Sequence, residues 1–209
     1  LFINLRINDT ANINTLMQLF HRDWKRSSPK EINDAINSYF EISPAVLNHC
    51  TSFCLGLSIR QLYYMITDET NFTSYKIKNL YDECIGFINQ IIDKNVPFFS
   101  LCMEDCSIKN IVYDNTHSAF LFKDAKTLYW GDTSRMPAHL IYSCMLQFSI
   151  EKYISSIVII LEQFANNYNK ELCLGWLFEI AFEHAIYYAS TNRENEYKGT
   201  ENQIENFIN

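Results

Sequence analysis

Apolar residues recur along this chain with two different rhythms, and the changes of rhythm mark its elements. Leu1, Ile3, Leu5 and Ile7 alternate, which predicts a short strand over residues 1–8. Ile13, Leu16, Met17 and Phe20 then keep a helical stripe. A second helix begins at the Ser27-Ser28-Pro29 start signal and carries Ile32, Ala35, Ile36 and Tyr39. Pro44 closes that region. Residues 45–66 alternate over part of their length and hold β-favouring types, so one or two strands are expected there.

The rhythm returns to three and four after Ser74. Leu80, Cys84, Phe87, Ile88, Ile91 and Ile92 mark one helix face that ends near Asn95-Val96-Pro97. Two short strand-like runs follow, at 110–113 and 119–122, joined by the polar turn Asp114-Asn115-Thr116-His117. Beyond Pro137 the pattern is helical. Ile150, Tyr153, Ile154, Ile157, Val158, Leu161 and Phe164 predict a buried helix, and Leu174, Leu177, Ile180, Ala181 and the 184–188 segment predict another. Residues 191–209 are polar and read as a tail, with a short last helix at 204–208.

Composition narrows what such a chain can be. With 209 residues, 48% of them hydrophobic and 15% aromatic, it can bury one sizeable core. A formal charge of −7 leaves no broad basic surface, so nucleic acid is not expected as a partner. The basic cluster at 22–30 is short and reads as a solvated face. No apolar run is long enough for a transmembrane helix. The chain begins at Leu1 rather than Met, so an upstream segment is expected.

Seven cysteines without paired C-x-x-C spacing argue against a zinc site. They leave two readings open: disulfides, with Cys102 and Cys106 the local pair beside the candidate site, or small buried apolar side chains. The patterns Asn8-Asp9-Thr10 and Asn71-Phe72-Thr73 are N-glycosylation acceptors and favour a lumenal or secreted setting. The five histidines are scattered without ligand spacing and read as surface or hydrogen-bonded imidazoles.

The candidate chemistry lies between Asp105 and Asp124. Asp105 precedes Asn110 by five positions, and Asp124 follows Asn110 by fourteen across the expected hairpin. A protein kinase spaces its catalytic Asp and its two metal-binding residues in this way. On this reading Asp105 orients an acceptor hydroxyl and takes its proton. Asn110 and Asp124 bind the cofactor, ATP with Mg or Mn, and supply the oxygen donors that such a hard cation prefers. The order helix, loop, two strands, loop and helices is that of a kinase C-lobe. The expected fold is therefore α+β and protein-kinase-like: a mainly helical C-lobe over 74–190, a truncated or degenerate N-lobe and hinge over 1–73, and the tail. Asp132 has no chemical role on this reading and is expected in a loop.

These residues resemble the divergent kinase-like proteins of the animal secretory pathway, in particular the deleted-in-autism branch. Its loop is similar to Phe99-x-Leu101-x-x-x-Asp105-x-Ser107-x-x-Asn110, its metal loop to Asp124-Ala125 with Asp132 eight residues on, and an earlier segment to Pro44-Ala45-Val46-Leu47-Asn48-His49-Cys50. The likeness covers roughly residues 40–165. Asn48 and Thr51 stand where glycines are expected, Tyr113 replaces a small apolar residue, and Lys126 replaces an acidic one. The five glycines form no G-x-G-x-x-G loop, and no V-A-I-K strand is visible; Arg6 is the one candidate remnant of that strand. The resemblance implies a phosphotransferase acting on a protein or glycan in the Golgi or ER lumen, or secreted. A secreted pseudokinase that binds a partner protein is the alternative, and a helical interaction protein with coincidental spacing is a third.

Overall fold

A computed structural model describes residues 54–67, 75–103, 105–117, 119–122, 128–147 and 168–191, together with a few isolated positions near 155–162 and 198–202. The strand at 1–8, the helices before Pro44, both glycosylation patterns, the basic cluster and the last helix at 204–208 lie outside these residues. So do Asp124 and Lys126.

The described architecture is α+β, mainly helical with two small antiparallel strand pairs. Its helices are α1 (Leu55–Thr67), α2 (Tyr75–Lys94), α3 (Arg135–Gln147) and α4 (Lys170–Ser190). Its strands are β1 (Phe99–Met103), β2 (Ile111–Asp114), β3 (Ala119–Phe122) and β4 (Leu128–Asp132).

Helix α4 is the centre, with α1, α2 and α3 all packed on it. Trp176, Ile180, Ala181, Phe182 and Ala185 are almost wholly buried, so apolar residues cover most of its circumference, as expected of a helix enclosed by others. Asn169 caps it, its side chain accepting from Leu172 N at 3.0 Å. The same amide donates to Asn95 Oδ1 at 2.8 Å, and Asn169 N donates to Ser134 Oγ at 3.1 Å. The end of α2, the start of α4 and the β4–α3 junction are thus tied at one point.

Helix α1 corrects the expected strands at 55–66. Leu55, Leu57 and Ile59 alternate, but Leu55, Ile59, Leu62 and Ile66 also fall at helical steps, and that second set fills the core against α4. Helix α2 spans the expected segment. Ile88, Ile91 and Ile92 are buried as predicted, whereas Phe87 is 53% exposed. The segment predicted as a buried helix at 150–164 is described only at Ser155, Ile157, Val158, Ile159 and Glu162; these are helical, but Val158 and Ile159 are more than half exposed.

The strands are nested. β2 and β3 form the expected hairpin, Ile111 opposite Phe122 and Asp114 opposite Ala119, with Asp114 Oδ1 accepting from Thr116 N at 2.8 Å in its turn. Around this hairpin β1 and β4 pair antiparallel, from Phe99 opposite Asp132 to Met103 opposite Leu128. This outer pair has no counterpart in the sequence expectations.

Candidate functional site

The loop from β1 to β2 is built by its own polar groups and braced by α3. Asp105 Oδ1 accepts from Ser107 N at 3.3 Å, closing a turn two residues long. Asn110 N donates to Ser107 O at 3.0 Å and forms the 3₁₀ turn Ile108–Asn110. Asn110 Nδ2 then reaches back to the Asp105 carbonyl at 3.2 Å, so the two residues singled out by spacing stand side by side. From α3, Ser143 Oγ accepts Ile108 N at 2.9 Å and donates to Leu140 O at 2.8 Å.

Two cationic or basic groups flank the Asp105 carboxylate. Lys109 Nζ is 3.3 Å from Oδ2, and His139 Nδ1, from α3, is 3.8 Å from Oδ1. Burial alone would raise the Asp105 pKa; the Ser107 hydrogen bond and the nearby His139 and Lys109 outweigh it and hold the carboxyl below its usual range. Asp105 is therefore ionised at neutral pH and able to accept a hydrogen bond from a hydroxyl. Burial pushes His139 the other way, down to about 4, with the Arg135 cation adding to the effect and Asp105 opposing it. Its imidazole is neutral at physiological pH.

Sequence spacing singled out Asp105 and Asn110, which stand side by side, but not their neighbours His139 and Lys109. Lys109, four residues after Asp105, was open to a search for local ion pairs. No signal in the sequence singles out His139, which reaches the loop only because α3 folds across it.

The strand nesting bears on the third residue. Phe122, two residues before Asp124, pairs with Ile111, the neighbour of Asn110; Leu128, four residues after it, pairs with Met103, two before Asp105. Both described ends of the 123–127 link thus adjoin the Asp105 loop.

As for a metal, Nδ2 of Asn110 is engaged with the Asp105 carbonyl, which leaves its carbonyl oxygen as the donor that a hard divalent cation takes. The chemistry of the expected ligand pair fits Mg or Mn. Among the described residues no group of three or more His, Cys, Asp or Glu side chains could hold a metal ion by itself.

The neighbouring thiols do not form a nucleophilic site. Cys102 and Cys106 are buried, and burial pushes their pKa values up to about 12 and 11. Cys102 Sγ donates to the Ser100 or Gly131 carbonyl. All six described cysteines carry free thiols, including the pair for which a disulfide was one of the two readings; Cys50 lies outside the described residues.

Asp132 also departs from expectation. It is no loop carboxylate but the fully buried end of β4, with Oδ2 accepting from Trp176 Nε1 at 2.8 Å and Oδ1 from Ser134 N at 2.9 Å. Burial raises its pKa to about 6 against those two hydrogen bonds.

No family model, curated protein or solved structure matches this chain.

Proposed function

We propose that the chain is a divergent kinase-like protein of the secretory pathway that transfers phosphate from ATP to a hydroxyl of a protein or glycan. The nested strand pairing carries this reading. With β2–β3 enclosed by β1–β4, the ends of the link that contains Asp124 flank the loop that contains Asp105 and Asn110. A residue two steps from Phe122 is within about 8 Å of it along the chain. That reach supports reading the Asp-Asn-Asp spacing as a single site. The compartment rests on the glycosylation patterns and the family resemblance.

In this reading Asp105, ionised and held by Ser107, orients the acceptor hydroxyl and receives its proton. Asn110 keeps the Asp105 backbone in place while offering its carbonyl oxygen, with Asp124, to Mg or Mn. The metal supplies charge neutralisation at the phosphate oxygens. Lys109 places a further cation beside the carboxylate, where a transferred phosphoryl group needs one.

Thermal unfolding tests the reading. Saturating ATP with Mn should raise the melting temperature by roughly 5–10 °C for a chain of this size, and Asp124→Ala or Asn110→Ala should abolish the rise. No shift at millimolar ATP and Mn would remove the proposal. A second reading, a kinase-like binding module, is favoured by the Lys109 ion pair, which occupies the Asp105 carboxylate. It predicts the nucleotide shift without any turnover of ATP.

A further inference from the structure

The side of α3 that faces the Asp105 loop carries two polar residues one helical turn apart, His139 and Ser143. Ser143 has a plain structural task, since it holds Ile108 N. His139 has none that the structure satisfies. Its side chain is only 16% exposed, its Nδ1 is buried, and that nitrogen has no hydrogen-bond partner. A buried nitrogen without a partner is destabilising, so such a group calls for a reason. The facing polar atom is Asp105 Oδ1, at 3.8 Å, roughly 0.6 Å beyond hydrogen-bond range. Catalytic hydrogen bonds are often this long in ligand-free proteins and tighten when the site is loaded.

The other partner of the carboxylate is of a different kind. Lys109 is 66% exposed, and an ion pair between such solvated groups is worth little and is readily exchanged. Lys109 can therefore leave Asp105 for a bound phosphate, and the carboxylate can close on His139 without losing its only support.

We infer that His139 is the positioning residue of Asp105: its Nδ1–H donates to Oδ1 and aims the other carboxylate oxygen at the acceptor hydroxyl. The inference rests on the phosphotransfer reading for its purpose, but the pairing itself is a property of the fold. The imidazole is held neutral by burial, with Arg135, Lys109 and His184 disfavouring its protonation. It therefore has one N–H to place, and the pairing requires that proton on Nδ1.

Two measurements on the full chain test this separately. Nitrogen NMR of His139 at neutral pH should show the Nδ1–H tautomer, and Asp105→Ala should release that preference. An Nε2–H tautomer in the native protein overturns the inference, whether or not the protein turns over ATP. For the role, hydrolysis of Mn-ATP, with water as acceptor, is followed in His139→Ala, His139→Asn and His139→Gln. Alanine should lower kcat about 10–100-fold with the KM for ATP changed less than twofold. Asparagine, whose amide sits where Nδ1–H does, should recover most of the loss, and glutamine should not. Equal rescue by both, or a loss confined to KM, overturns the positioning role. Absence of both a nucleotide shift and hydrolysis in the native protein removes the phosphotransfer reading and leaves the tautomer to decide the pairing.

Discussion

Asp132 shows how a single buried carboxylate can be misjudged from sequence and how sharply it can be tested. An indole N–H is a donor only, so Trp176, fully buried on α4, needs an acceptor, and Asp132 Oδ2 is that acceptor. Its other oxygen takes Ser134 N at the β4–α3 junction. Asp132→Ala leaves two donors without partners in the interior and should destabilise the fold by roughly 2–5 kcal/mol. Asp132→Asn keeps one acceptor oxygen but turns an NH₂ toward the second donor, so its cost should be smaller, roughly 1–3 kcal/mol. Urea unfolding of the two variants gives the order, and equal stability of all three proteins would refute the role. The Asp105–Asn110 pair was legible because an amide five residues on reaches back within one loop. His139 and Trp176 lie 34 and 44 residues from their carboxylates, and no local pattern announces such a meeting.

Two helical glycines should respond to the same substitution in opposite directions because their helices have different neighbours. At Gly86, on α2, an added Cβ meets nothing within 4 Å. Gly86→Ala should therefore stabilise by about 0.5–1 kcal/mol through helix propensity and reduced freedom of the unfolded chain. At Gly175, on α4, the same Cβ would lie 2.4 Å from Leu55 Cδ2. Leu55 is fully buried where α1 packs on α4, in an interior whose close packing resists a shift of its side chain. Gly175→Ala should destabilise by about 1–3 kcal/mol despite the better propensity. Denaturation of both variants, with Leu55→Ala added to the second, checks the cause; if shortening Leu55 does not reduce the penalty, the close approach is not responsible. These contacts also explain which elements the sequence revealed. Helices α2 and α4 and the β2–β3 hairpin follow from patterns that are local and unambiguous. Helix α1 does not, since Leu55 and Ile59 satisfy both periods and only packing on α4 decides between them. Strands β1 and β4 pair across 25 to 33 residues, and neither run is long enough to declare itself alone.

At the scale of the whole molecule, helix α4 brings an acidic group into the core where α1, α3 and α4 meet, and stability should depend on pH as a result. Glu179 is 5% exposed and accepts a hydrogen bond from Ser58 Oγ of α1. Burial raises its pKa to about 8, with repulsion from Glu183 adding to the rise and Arg135 and Ser58 opposing it. Between the unfolded value of 4.5 and about 8 the folded protein holds a proton that the unfolded chain has released, so stability falls as pH rises through this range. Asp132, raised from 3.8 to about 6, acts in the same sense at lower pH. His139, lowered from 6.5 to about 4, acts in the opposite sense below 6.5, and so does His184. The histidine contributions fade as pH rises through 7, Asp132 has faded by then, and the buried thiols, whose unfolded value is 9.0, begin to add to the fall only near pH 8. Glu179 should therefore govern the slope between about pH 7 and 8, and the melting temperature should fall across that interval. Glu179→Gln reproduces the protonated carboxyl in shape, keeps an acceptor for Ser58 and cannot ionise. Its melting temperature should stay nearly flat over the same interval and exceed that of the native protein most at pH 8. Parallel slopes for the two proteins would mean that Glu179 is already ionised in the fold and that the Arg135 cation outweighs its burial.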